Sequence, residues 1–269
     1  CGARSGPYER RTLAWIGMAL FALHPLAVEP ALYVWARPTV LATLFSLVSA
    51  ASLLAGADAG GARQRVGCLA GAFLALGFTL VSKEMGLVVS LPVFLLVLRL
   101  TYPRVFRIAL FVAALGVGLP YLLDQGHVLP RLAGRFEPGE FAEHLWVQAR
   151  GLFLYLQLLV PLPGQYGLSH LVLPAPGWLA TAAVGVLLAW GVGIALALRA
   201  RLRLLAIGLG FGLSHLLPYL ILPSRAVVEY KAYPLLAGAV LALLGGAEWF
   251  ALRSGPRARR VGVAVAALL

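Results

Sequence analysis

The ionisable residues best placed to do chemistry lie in short breaks between long apolar runs. The break HPLAVEPALYVWARP, residues 24–38, carries His24, Glu29 and Arg37, where a plain connector would need none of them. Two readings stand side by side. The three can form a cap and ion-pair set that fixes a turn, with Pro25, Pro30 and Pro38 marking the breaks. They can equally form the polar wall of an outward-facing active site. Lys83 and Glu84 sit in the shortest polar break of the chain. They are either a self-neutralising pair or, through Lys83, a phosphate contact at headgroup level, since an ammonium is a compact point charge suited to phosphate. Arg225, Glu229, Lys231 and Tyr233 stand together before a further apolar run. They read as interfacial anchors or as a second basic contact for an anionic ligand. His170 and Gln148 are weaker candidates, His144 and Trp146 read as interfacial belt residues, and His127 and His215 have no assigned role.

Several chemistries lack their residues. The GxGxxG and GK[ST] loops that cradle nucleotide phosphates are missing, as is the GxSxG nucleophile elbow. No His, Cys and Asp spacing suggests a metal cage, and Cys1 and Cys68 form no redox or metal motif. A lipid-borne phosphate therefore fits these residues better than a soluble nucleotide sugar.

The elements that must position these groups are membrane helices. The chain has 269 residues, of which 61% are hydrophobic and 12% charged, with a mean hydropathy of +0.90. Soluble domains run near half apolar and about a quarter charged. Apolar runs of roughly 17 to 25 residues recur, and they are continuous rather than alternating, which excludes a β-barrel. Spans are expected at about 12–26, 38–55, 66–81, 85–98, 108–123, 178–198, 204–222 and 235–252, with the start of a ninth at Val261. Cys68 falls inside the third as a small core residue. The outer segment 124–177 contains one more apolar helix, about 145–160.

The net charge of +12 would raise nucleic-acid binding in a soluble protein. Here the arginines occupy brief loops, where they set orientation, so nucleic acid is rejected as a partner. The basic N-terminus and the breaks at 63–65, 99–107, 199–203 and 253–260 all fall on one side if helix 145–160 does not cross. That helix is then re-entrant or interfacial on the outer side. The expected architecture is all-α: a polytopic bundle of eight to nine spanning helices plus one outer-side helix, with no soluble domain. His24, Glu29, Arg37, Lys83, Glu84, Arg225, Glu229 and Lys231 then share the outer side, where charges at membrane depth face a cavity or one another.

The stretch FALHPLAVEPALYVWARPTVLATLF resembles the pattern FALHP-x3-E-x7-R-x3-L-x3-F of transmembrane O-mannosyltransferases of the tetratricopeptide-repeat type and their bacterial relatives. His24, Pro25, Glu29, Arg37 and Leu41 are in register with it. SKEMGLVVSLPVFLLVL is similar to that family's Lys-Glu segment through Lys83, Glu84 and Pro92. VEYKAYPLLAG resembles its E-H-R-x-Y-x-P-x-x-G segment through Glu229, Tyr233 and Gly238. There Tyr230 replaces the His, Lys231 replaces the Arg, and the Pro stands one place earlier at Pro234. QARGLFLYLQLLVPLPGQYGLSH is a loose match.

The resemblance implies a GT-C class glycosyltransferase. Such an enzyme moves a sugar, here mannose, from a polyprenyl-phosphate donor to a protein or glycan hydroxyl on the outer face. It implies membrane lipid as a partner and a multi-pass protein of the bacterial inner membrane with its site on the periplasmic side. Lys83, Arg225 and Lys231, with help from Arg37, would stabilise the leaving phosphate, and Glu29 would orient an acceptor or a basic neighbour. The family's catalytic Asp lies in a loop before the matched region, so it is expected upstream of Cys1. With an internal start, the chain is expected to be a partial transmembrane domain, inactive alone. A transporter or flippase of an amphipathic lipid-linked substrate is the alternative, with the same charges lining a path. Transporters often carry internal repeats, and none is visible.

Overall fold

The computed structural model describes residues 7–27, 32, 36–82, 86–104, 106–114, 138–160, 170–171, 177–221, 226–227 and 232–253. Among these, the elements are helices apart from one strand pair. They are α1 (Pro7–Leu23), a 3-10 turn (Pro25–Ala27), α2 (Arg37–Asp58), α3 (Ala62–Ser82), α4 (Gly86–Thr101), α5 (Pro138–Gln157), α6 (Gly177–Arg199), α7 (Arg203–Ile221) and α8 (Tyr233–Arg253). A further helical stretch covers 106–114. The strands β1 (His170–Leu171) and β2 (Ala226–Val227) pair antiparallel, with His170 opposite Val227.

Among the described residues, four helices are long and apolar enough to cross a membrane: α2, α3, α6 and the 233–250 part of α8. The chain is thus a helical membrane protein. Shorter apolar helices cover Arg11–Leu23, Ser90–Thr101 and Arg203–Leu216. The residues expected to complete the fifth span and to start a ninth, 115–123 and 261 onward, lie outside the described residues. Several helix ends lie a few residues from the expected bounds, and two of the differences have a visible cause. The first helix runs Pro7–Leu23 rather than 12–26, because Pro25 excludes the helical conformation at His24 and the chain closes a 3-10 turn instead, Ala27 N–H donating to the His24 carbonyl at 2.8 Å. The helix expected at 145–160 begins at Pro138; proline is well tolerated in a first helical turn, where its N–H would have no partner anyway.

Beside large buried side chains such as Leu53, Phe94 and Phe211, α2 buries a stripe of small and hydroxyl-bearing residues, as helices packed in lipid do. On α2, Thr39, Ala42, Thr43, Ser46, Ser49 and Ala50 are buried while Leu41, Leu44 and Val48 are exposed. The hydroxyls are satisfied locally: Thr43 donates to the Thr39 carbonyl at 2.7 Å and Ser46 to the Ala42 carbonyl at 2.8 Å. Ser49 reaches across to the Ala72 carbonyl of α3 at 2.9 Å. On α6, Val184, Leu188, Val192 and Leu196 form an exposed stripe at four-residue spacing.

The α7–α8 contact is set by glycine. A Cβ on Gly208 would run into the backbone of Gly238 and Ala242, and one on Gly245 into the backbone of Leu204 and Leu205. A Cβ on Gly238 would lie 2.6 Å from the Gly212 nitrogen. This is a small-xxx-small interface in which two backbones touch. The α6–α7 turn closes with Arg201 at φ 57. Leu202 N–H donates to the Ala197 carbonyl and Arg201 N–H to the Leu198 carbonyl, the paired bonds of a Schellman stop.

The register of these contacts orients the bundle. Phe45 stacks on Phe78, Ser49 meets Ala72, and Gly56 meets Cys68, so α2 and α3 are antiparallel. At one end Tyr102 donates to the Leu53 carbonyl at 2.9 Å and Arg65 to the Ala59 carbonyl at 3.3 Å. The start of α2 and the end of α3 therefore lie together at the opposite end.

Candidate functional site

At the end of the bundle away from Arg65 and Tyr102, the 3-10 turn plugs Leu26 into a core formed with Tyr155, Leu158, Ala232, Leu235 and Leu236. Leu26 is 1% exposed. His24 ties that turn to α5. Its Nε2 lies 3.1 Å from the Leu159 carbonyl oxygen, and its Nδ1 lies 3.1 Å from the Leu26 nitrogen. A carbonyl only accepts and a backbone N–H only donates, so the ring carries its proton on Nε2 and accepts at Nδ1. This is a neutral imidazole. Burial lowers the His24 pKa from its ordinary value, and the bond to the Leu159 carbonyl pulls weakly the other way. Protonating Nδ1 would set an N–H against the Leu26 N–H.

The Leu159 carbonyl is offered because α5 tightens as it ends. Leu159 N–H donates to the Leu156 carbonyl at 3.2 Å and Val160 N–H to the Gln157 carbonyl at 3.0 Å. The last carbonyls of a helix lack intrahelical donors, and His24 supplies one. Next to this clamp, Phe21 of α1 packs on Tyr233 of α8 with ring centroids 5.0 Å apart. The β1–β2 pair links the segment after α5 to the segment before α8.

The structure thus brings His24 and Tyr233 to one end of the bundle, joined through Phe21, Leu26 and the end of α5. Arg37 opens α2 at the end where α3 closes. It is exposed, and no hydrogen bond or ion pair engages it among the described residues. Glu29, Lys83, Glu84, Arg225, Glu229 and Lys231 lie outside the described residues. The elements flanking them end or begin in this region: α3 ends at Ser82, α4 begins at Gly86, and β2 covers 226–227. No group of three or more His, Cys, Asp or Glu side chains that could hold a metal occurs among the described residues.

Of the weaker candidates, Gln148 is buried in α5 and already engaged. His170 lies in β1, opposite Val227. His127 lies outside the described residues, as do the side chains of His144 and Trp146. His215 is buried in α7, its Nδ1 2.9 Å from the Phe211 carbonyl oxygen. Sequence reasoning missed two partners at this end, the Leu159 carbonyl and Tyr155. Backbone carbonyls carry no sequence signal, and Tyr155 looks like any apolar helix residue.

No family model, curated protein or solved structure matches the chain.

Proposed function

We propose that the protein is a membrane-embedded glycosyltransferase of the polyprenyl-phosphate-dependent kind, transferring a sugar such as mannose to a protein or glycan hydroxyl at the outer end of the bundle. The observation that carries this reading is the joining of the His24 turn, the end of α5 and the start of α8 at one end. Described residues that flank the three motif blocks, Arg37, Ser82 and Tyr233, stand toward that end.

In this reading the acceptor oxygen attacks the anomeric carbon and the bond from that carbon to the lipid-phosphate oxygen breaks. The phosphate leaves with the electron pair, and the acceptor proton passes to a base, which the resemblance places as an Asp upstream of Cys1. Cationic groups stabilise the growing phosphate charge, and Lys83, Arg225, Lys231 and Arg37 are proposed for that work. Glu29 is proposed to orient the acceptor or a basic neighbour. Both nitrogens of His24 are committed to backbone, so its part is to hold the turn that carries Glu29 and Arg37. Tyr233 supports that turn through Phe21.

The test is transfer from a polyprenyl-phosphate-linked, radiolabelled sugar in membranes carrying the full gene product. Lys83→Ala is expected to lose transfer by a hundredfold or so, the range for one electrostatic contact to a developing charge, at unchanged protein level. Full activity in that variant removes Lys83 from the mechanism. Movement of intact donor across vesicles without any sugar transfer selects the transporter reading instead.

A further inference from the structure

A cleft of about 500 Å³ runs beside the contact of α1 with α8, where Gly17 packs on Leu244, and is floored by Leu47 of α2 and by Leu204 of α7. Its wall is apolar, with Ala14, Gly17 and Met18 on α1 facing Val240, Leu241 and Leu244 on α8. It follows α8 from Ala237 to Glu248, a rise of about 16 Å at 1.5 Å per residue. One leaflet of a bilayer hydrocarbon core is about as deep, roughly 15 Å. The cleft therefore has the reach of a single lipid chain.

Its lower mouth lies at the basic end of the bundle. Arg11 stands one turn below the lining residue Ala14, and Arg203 directly precedes the lining residue Leu204. Both arginines are exposed, and neither guanidinium makes a hydrogen bond or ion pair among the described residues. Arg199 and Arg201 are exposed in the same α6–α7 connection. The opposing charge is Glu248, half-buried on the cleft wall and already engaged. Basic pockets between membrane helices suit anionic headgroups, and each Arg or Lys near the surface adds to the attraction.

We infer that this cleft is a binding site for an anionic glycerophospholipid, one acyl chain lying along the α1–α8 seam and the phosphate meeting Arg11 and Arg203. The phosphate end of the site lies away from the His24 clamp, while Phe21, which packs on Tyr233, lines its other end. Bilayer contact alone would not select the headgroup, because the exposed stripe of α6 offers lipid the same apolar surface without a cleft.

The experiment is native mass spectrometry of the full chain released from nanodiscs of equimolar phosphatidylglycerol and phosphatidylcholine. The wild type is expected to retain phosphatidylglycerol over phosphatidylcholine by at least fivefold, the factor set by about 1 kcal/mol from a single arginine. Arg11→Gln with Arg203→Gln, both at exposed positions, is expected to bring that ratio to parity while lipid is still retained. Ala14→Phe fills the cleft and is expected to abolish retention, whereas Leu188→Phe on the α6 stripe leaves it unchanged. Equal retention of both lipids by the wild type overturns the site. So does an unchanged preference in the double arginine variant, or retained lipid in a folded Ala14→Phe protein.

Discussion

Replacing His24 should loosen the end of the bundle by an amount that the two ring bonds set. His24→Ala removes the donor to the Leu159 carbonyl and the acceptor for the Leu26 N–H, both at 3.1 Å. A hydrogen bond contributes about 1 kcal/mol net, and somewhat more where the abandoned partner stays buried. Leu26 is fully buried, while Leu159 is half-buried, so the expected loss is about 2 kcal/mol. His24→Asn separates the two bonds. Its Oδ1 stands where Nδ1 stood and can accept from Leu26, but its amide falls short of Leu159, so about half the loss is expected.

The same ring makes stability depend on pH, with a definite sign. The folded-state pKa lies below the ordinary imidazole value because burial disfavours the charged ring. The clamp's contribution is then fully present above the unfolded value of about 6.5. It fades as pH falls through that value toward the lowered one, because the unfolded chain binds the proton first. Denaturant unfolding in detergent micelles, followed by tryptophan fluorescence, should show the gap between wild type and His24→Ala narrowing as pH falls below the ordinary imidazole value of about 6.5. Equal stability of the two proteins near neutral pH, or a gap that does not change with acid, would refute the clamp.

Two further outcomes test the packing. Arg201→Gly should stabilise the protein by about 1 kcal/mol, because Arg201 holds a left-handed φ of 57 that glycine adopts without strain; a lower unfolding midpoint would show that the guanidinium matters more than the backbone. Gly208→Ala should destabilise by about 1–3 kcal/mol, as its methyl meets the α8 backbone rather than a side chain that could swing away; an unchanged midpoint would mean that α7 and α8 are not in backbone contact.

Much of the fold was legible because lipid imposes long apolar runs and leaves prolines and arginines to mark their ends. Pro25 and Pro38 stand at the end of α1 and the start of α2 as read from sequence. The start of α5 was not legible, because 138–144 is polar and only its position after Pro138 makes it helical. The α7–α8 contact was written in the glycines of GLGFG, yet small residues look alike whether they face a neighbour or lipid. At the candidate site the sequence named the turn but not its mechanics. His24 drew attention as an ionisable group in an apolar chain, and the structure uses it as a neutral bridge between backbones. Its partners, a carbonyl and an N–H, belong to every residue and are invisible until the helices are placed.

Thiol labelling with a membrane-impermeant reagent, on single cysteines in a Cys1→Ser, Cys68→Ala background, decides whether the motif-bearing turns share one side. Arg37→Cys and Val160→Cys should label from one side of sealed vesicles, and Gly60→Cys and Arg201→Cys only from the other. If Arg37→Cys and Val160→Cys label from opposite sides, or Val160→Cys labels with Gly60→Cys, the convergence that supports the proposed site is contradicted.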